Sequence, residues 1–212
     1  ANRIDGGDGG DTLTGGGGAD TLAGGTGDDV YILDDALDQV IEAAGGGVDT
    51  IQFLLSTTGA TFTLGAEIEN GTLVSAGLVN LAGNGLGNVL TGGGGSNLIT
   101  GGGGADTLSG GTGDDTLAGG SGADRLTGGA GYDVFRFDVL PDAGADLITD
   151  FAAGVDKIQL SKAAFAGLAG AVTGALGLSL FWSGAGVTSA HDADDRLVYD
   201  TTTGTLYYDP DG

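Results

Sequence analysis

From Gly101 to Gly129 the chain places an apolar side chain once in nine residues, at Leu108, Leu117 and Leu126, each two positions after an aspartate. Glycine fills much of the rest. One inward position in nine matches neither the 3.6-residue period of a helix nor the alternation of a long strand. It fits a six-residue turn followed by a three-residue strand, written G-G-x-G-x-D-x-L-x. In that frame "GGGGADTLS" starts at Gly101, "GGTGDDTLA" at Gly110, "GGSGADRLT" at Gly119 and "GGAGYDVFR" at Gly128. Upstream, "GGGGSNLIT" at Gly92 and "GNGLGNVLT" at Gly83 keep the frame but put Asn97 and Asn88 in the acidic place. A first array stands at Gly6, Gly15 and Gly24, with its register reaching Asp38 and Val40. The predicted core is the eighth position of each unit: Leu13, Leu22, Tyr31, Leu90, Ile99, Leu108, Leu117, Leu126 and Phe135.

Between the arrays the pattern loosens. Asp49–Phe53, Thr61–Leu64 and Gly71–Ser75 are strand-like, and residues 34–82 are expected to form wider coils of the same structure. The plan recurs: "GTGDDVYILD" aligns with "GAGYDVFRFD", and "VDTIQF" (48–53) with "VDKIQL" (155–160). Further on, Leu160, Phe165, Leu168, Val172 and Leu176 recur at helical spacing after Ser161, a candidate N-cap, which predicts one short helix. Three segments result: 1–82, the first array with its wider coils; 83–160, the second array with a closing segment; and 161–212, a C-terminal cap.

Composition narrows the chemistry. The formal net charge of −23 argues against nucleic acid and anionic membrane surfaces, which call for basic patches, and favours cations. With 48 Gly and no three-residue period the chain is not collagen. Cysteine is absent, which excludes disulfide staples and thiolate metal sites. The uncharged stretch 163–190 is too rich in Ala, Gly, Ser and Thr to read as a membrane span. The opening "ANRIDGGDGG" lacks the regions of a signal peptide and reads as an internal start.

Gly loses the most backbone freedom on folding, and one buried side chain per unit is a small return on ordering nine residues. The repeated carboxylate supplies the missing term. Ca²⁺ takes six to eight oxygens from carboxylates and backbone carbonyls, and glycines let a turn curl its carbonyls inward. If two units make one coil, turns two units apart stack, so that Asp106 pairs with Asp124 and Asp115 with Asp133 around shared ions. A phosphate-binding glycine loop is the rival for a single copy, but G-K-[ST] is missing. Candidate ligands are Asp11, Asp20, Asp29, Asp38, Asp106, Asp115, Asp124 and Asp133. The turn glycines Gly102, Gly104, Gly111, Gly113, Gly120, Gly122, Gly129 and Gly131 join them. Asn97 is expected to be a weaker ligand, because ligand charge controls affinity; alternatively, the Asn turns close through amide hydrogen bonds and take no ion. Either way, the start of the second array is expected to be its softest part.

These glycine- and aspartate-rich units resemble the RTX calcium-binding repeats of secreted bacterial proteins. The resemblance implies an all-β, right-handed parallel β-roll, several Ca²⁺ ions, unfolded export by type I secretion and a place outside the cell or on its surface. "DLITDFAAGVDKIQL" (146–160) is similar to the segment that closes serralysin-type rolls, which makes Asp146 and Asp150 candidate terminal ligands. The tail from Asp192 looks like the family's C-terminal hairpin, turning at T-T-G; in the family the chain usually continues beyond "YYDxDG", so the cap is expected to be truncated.

Catalysis finds little support. His191 is the single histidine and sits in a polar stretch. Neither H-E-x-x-H nor G-x-S-x-G occurs. Trp182 reads as core or cap rather than a sugar platform. Two functions follow: a non-catalytic surface, adhesin or matrix protein, or the C-terminal secretion and folding module of a hydrolase. Beyond calcium, the partners expected are a second copy of the chain or surface polysaccharide.

Overall fold

The computed structural model describes residues 1–55, 59–75, 77–139, 146–161, 163–165, 181–186, 197–200, 202 and 205–208. Short strands follow one another from the start: β1 (Arg3–Asp8), β2 (Thr12–Thr14), β3 (Thr21–Thr26), β4 (Val30–Leu33), β5 (Gln39–Ile41), β6 (Thr50–Phe53), β7 (Thr61–Thr63), β8 (Asn70–Leu73) and β9 (Asn80–Ala82). The second array supplies β10 (Val89–Thr91), β11 (Leu98–Gly103), β12 (Thr107–Thr112), β13 (Thr116–Ser121), β14 (Arg125–Ala130) and β15 (Val134–Phe137). The closing segment adds β16 (Leu147–Ile148) and β17 (Lys157–Leu160).

Except for β5, each strand up to β15 pairs in parallel with the strand two places on, so even and odd strands form opposite walls of a solenoid of about eight coils. The even wall is one eight-stranded sheet from β2 to β16. It crosses the junction at residues 82 and 83 through the β8–β10 pair, Val89 lying against Asn70. The odd wall is divided into a three-stranded sheet, β1-β3-β5, and a six-stranded one, β7 to β17. In the arrays one coil is 18 residues, as Leu108 against Leu126 shows. Between β4 and β6 it widens to 20, with Tyr31 against Ile51.

The core is made of the two facing files of inward side chains, one per wall, that this register stacks. All nine predicted positions are buried, and they join one cluster running through Ile51, Phe53, Leu64, Leu73 and Leu81 in the wider coils. Phe53 stacks on Phe62 across the coil at 4.7 Å between ring centroids. Gly71 occupies a core register between Ile51 and Leu90. Leu64 and Leu81 reach into the space a side chain there would fill: a Cβ on Gly71 would stand 3.1 Å from the first and 3.3 Å from the second.

The expected strands of the wider coils are present as β6, β7 and β8. In the cap, β18 (Phe181–Gly184), β19 (Leu197–Asp200) and β20 (Thr205–Tyr208) form a sheet in which β19 and β20 are antiparallel, as the hairpin reading expects. The predicted helix does not start where expected: Leu160 ends β17, and Phe165 N–H donates to the Ser161 carbonyl (2.9 Å) in a single turn; the rest of that span, and His191, lie outside the described residues. Among the described residues no helix is long and apolar enough to cross a membrane.

Candidate metal centre

The residue at position six of each unit stands immediately before a strand. Stacking the strands therefore stacks these residues, and the structure shows what their carboxylates do. From Asp20, which accepts from Asn2 N–H, onward, Oδ1 of each Asp accepts the backbone N–H of the residue one coil earlier in the column. Asp106 accepts from Asn88 (2.7 Å), Asp124 from Asp106 (2.8 Å), Asp115 from Asn97 (2.7 Å) and Asp133 from Asp115 (2.9 Å). The first array repeats the pattern, Asp29 accepting from Asp11 (2.7 Å) and Asp38 from Asp20 (2.9 Å). The side chains form two columns, one along each wall, and the turns two units apart are the ones that meet.

The columns also take in residues that the repeat frame did not single out. Asp49 accepts from Asp29 (2.8 Å), and Glu69 from Asp49 (2.8 Å), carrying the even-wall column through the wider coils. Asp156 accepts from Asp133 at 3.1 Å and ends the other column. The available signal was the "VDxIQ" correspondence, which places Asp49 and Asp156 in equivalent positions just before a strand. The two predicted terminal residues take different partners. Asp146 accepts from Asp124 (3.0 Å) in the even-wall column. Asp150 is exposed and caps the last nonapeptide turn, accepting from Gly128 and Gly129 at 2.9 and 2.8 Å.

One oxygen of each carboxylate is engaged in this way, and the other often is not. Oδ2 of Asp11, Asp20, Asp29, Asp49, Asp106 and Asp115 is buried without a hydrogen-bond partner. A buried unpaired carboxylate oxygen is costly, and a column of them is an arrangement that a cation would stabilise. The glycine at position one keeps the space open. A Cβ on Gly101 would lie 2.1 Å from Asp106 Oδ2, and on Gly110 2.4 Å from Asp115 Oδ2. Positions two and four take positive φ in all seven Asp turns, from Gly7 and Gly9 to Gly129 and Gly131. The eight glycines predicted for the second array are among them.

The Asn turns are built differently. Gly93 and Gly95 take no positive φ, and neither do Asn84 and Leu86. The Asn88 amide donates to the Ile68 and Glu69 carbonyls, both at 3.1 Å, while its Oδ1 accepts from Asn84 N (2.8 Å). Asn97 donates to the Val79 carbonyl at 2.5 Å and accepts from Gly93 N at 3.2 Å. Both side chains are therefore satisfied by the coil below and by their own turn. Nor do these coils form an edge, because β10 pairs with β8 as well as β12, and β11 with β9 as well as β13. This reverses the softness expected of them. In a calcium titration followed by hydrogen exchange, amides at Leu90 and Ile99 should keep protection after those at Leu117 and Leu126 have lost it as calcium falls. Earlier opening at Leu90 would mean that the Asn turns depend on ions too.

Burial pushes the carboxyls of Asp106 and Asp115 up to about 6; backbone N–H donation from Asn88 and Asn97 opposes it, and the charges of Asp124 and Asp133 add to it. Asp133 is raised as well, by burial first and then by Asp156, Asp150 and Asp114, against the N–H of Asp115. An aspartate raised in the folded state takes up protons on folding. Its contribution to stability is complete below the ordinary aspartate range and is lost as pH rises through its folded value. In calcium-free buffer the roll should therefore be more stable near pH 5 than at pH 7.5. Circular dichroism at the two pH values in metal-stripped buffer checks this, and equal or greater β content at pH 7.5 would contradict it.

A family model of the RTX calcium-binding nonapeptide repeat, in four copies, matches residues 1–31, 82–117 and 101–135. No curated protein matches the chain. The matched segments are those that build the glycine-cradled columns.

Proposed function

The chain carries RTX calcium-binding repeats wound into a parallel β-roll, and on that premise we propose that it is the non-catalytic, calcium-folded part of a protein that works outside the bacterial cell or at its surface. The observation that carries this reading is the column of buried, unpartnered Oδ2 atoms. The ions belong between successive turns of one column, Asp106 with Asp124, Asp115 with Asp133, Asp11 with Asp29 and Asp20 with Asp38. The aspartates supply charge. The positive-φ glycines at positions two and four curl each turn so that backbone carbonyls complete the oxygen set. Asn97 and Asn88 stand apart from this set, because their amides already hold their turns.

Such a chain suits export as an unfolded polymer by type I secretion. Extracellular calcium modules bind in the range of about 10⁻⁴–10⁻³ M, far above what the cell interior offers a nascent chain. Its role there is structural, in a surface layer, adhesin or matrix, with a second copy or surface polysaccharide as partner. Isothermal titration of the metal-stripped chain with calcium tests the reading. Several ions per chain are expected in that range, and an absence of bound calcium at about 10 mM, tenfold above it, overturns the proposal.

The closing coil favours one second reading. β16 and β17 pair onto the end of the roll, and Asp146, Asp150 and Asp156 cap its last turns. An end finished in this way also suits the C-terminal secretion and folding module of a hydrolase. A catalytic domain in the native gene product would decide for it.

A further inference from the structure

The first array ends where its glycine-opened turns end. Ala23 pairs with Ile41 across β3 and β5, so the next residue up from Gly24 is Glu42. A carboxylate thus takes the place of a glycine at the opening of a turn. The turn from Glu42 to Asp49 is two residues longer than the Gly24–Asp29 turn beneath it. It is docked there by Gly27 N–H donating to the Gly46 carbonyl (2.6 Å) and Val48 N–H to Asp28 Oδ1 (2.8 Å).

Three carboxylates meet in this coil. Asp29, Glu42 and Asp49 each offer an oxygen within 4.8 Å of the others. A calcium ion bonds oxygens at 2.3–2.6 Å, so two of its ligands can lie at most about 5 Å apart. Asp29 and Asp49 are 1 % and 0 % exposed, and the Oδ2 of each is buried without a partner. Their Oδ1 atoms are already taken by Asp11 N–H and Asp29 N–H. Among the described residues the ion pairs are Ala1 with Asp20 and Arg136 with Asp138; neither brings a cationic side chain to this cluster. The Tyr31 hydroxyl, inside the roll, donates to Glu42 Oε2 and fixes that carboxylate over the opening, as an outer partner orients a metal ligand. Gly24 leaves the room: a Cβ there would stand 2.0 Å from Asp29 Oδ2 and 2.2 Å from Tyr31 Oη.

We propose that Asp29, Glu42 and Asp49 form a further divalent-cation site that locks the first array to the wider coils. It rests on the calcium reading of the roll but differs in its chemistry. A nonapeptide site relies on two aspartates and turn carbonyls, whereas this one gathers three carboxylates from successive turns. Ligand charge raises affinity for a hard cation, so the site fills before the nonapeptide sites. Two of its three carboxylates, Glu42 and Asp49, lie where the family match does not extend, since that match stops at residue 31 and resumes at 82.

The test is a calcium count by equilibrium dialysis on the whole chain, wild type against Glu42→Gln, at a calcium concentration that fills only the tightest site of the wild type. Glu42→Gln keeps the shape and removes one charge, and it should lower occupancy at least tenfold there while leaving uptake at millimolar calcium otherwise unchanged. Equal occupancy in the two proteins overturns the proposal and leaves the reading of the roll intact. A wild type that binds no calcium at any concentration overturns both. If Glu42→Gln fails to fold, anomalous scattering from wild-type crystals grown with terbium decides. An ion bonded to Glu42 and Asp49 upholds the site, and density only between the nonapeptide turns overturns it.

Discussion

In metal-stripped buffer at neutral pH the chain is expected to lose most of its β-sheet circular dichroism and to regain it when millimolar calcium returns. The reason lies in the columns. At pH 7 the buried aspartates that stay charged stand one coil apart, and Asp11, Asp20, Asp29, Asp49, Asp106 and Asp115 each keep one oxygen unpartnered. Little positive charge is at hand, since the chain has 6 Lys and Arg against 29 Asp and Glu. In the arrays each wall contributes only one inward apolar side chain per coil. An ion present at ten times its dissociation constant stabilises the folded state by about 1.4 kcal/mol per site. Several such sites together approach the 5–15 kcal/mol that is roughly the whole stability of an ordinary domain. Removing the ions removes that term and leaves the repulsion. A β spectrum that persists unchanged in excess chelator would show that the roll stands on packing alone.

The second large effect is expected from one methyl group. Gly122 has φ +127°, and a Cβ placed on it falls 1.8 Å from the Gly104 carbonyl oxygen. That oxygen is backbone in the coil below, so it cannot swing aside without opening the stack. Gly122→Ala should therefore cost more than about 4 kcal/mol, in the range reserved for backbone and packing conflicts. Gly16 is the control. Its φ is +73°, and nothing lies within 4 Å of a Cβ there, so Gly16→Ala should cost only the left-handed penalty of about 1–2 kcal/mol. The calcium concentration at the folding midpoint measures both. Gly122→Ala should need far more calcium than wild type, and Gly16→Ala only slightly more. Similar midpoints for the two variants would show that the stack yields where Gly104 and Gly122 meet.

Much of this was legible in the sequence because the repeat is its own ruler. The nine-residue frame located the buried file from Leu13 to Phe135, the strands of both arrays, and the pairing of Asp106 with Asp124. What the frame could not reach were residues whose role depends on stacking alone. Asp49 and Glu69 stand in coils of 20 residues rather than 18, so counting by nines passes them by, although the register places them directly in the column. Glu42 was hidden for a similar reason. It replaces a glycine, and only the Ala23–Ile41 pair shows which glycine it stands above. The two readings of the Asn turns were also beyond the sequence, because the amides of Asn88 and Asn97 find carbonyls contributed by irregular residues 68, 69 and 79.

The divided odd wall gives the roll a mechanical character. Under tension along its axis, most coil boundaries are crossed by two ladders of backbone hydrogen bonds, one per wall. Between the coil of β5 and β6 and that of β7 and β8, only one described ladder crosses, the four residue pairs from Thr50–Asn70 to Phe53–Leu73. The odd-wall column has no carboxylate link there either, since Ala60 precedes β7 where Asp38 precedes β5. Under such a load that boundary is the one expected to part first, lengthening the chain in one step while the coils on either side stay wound.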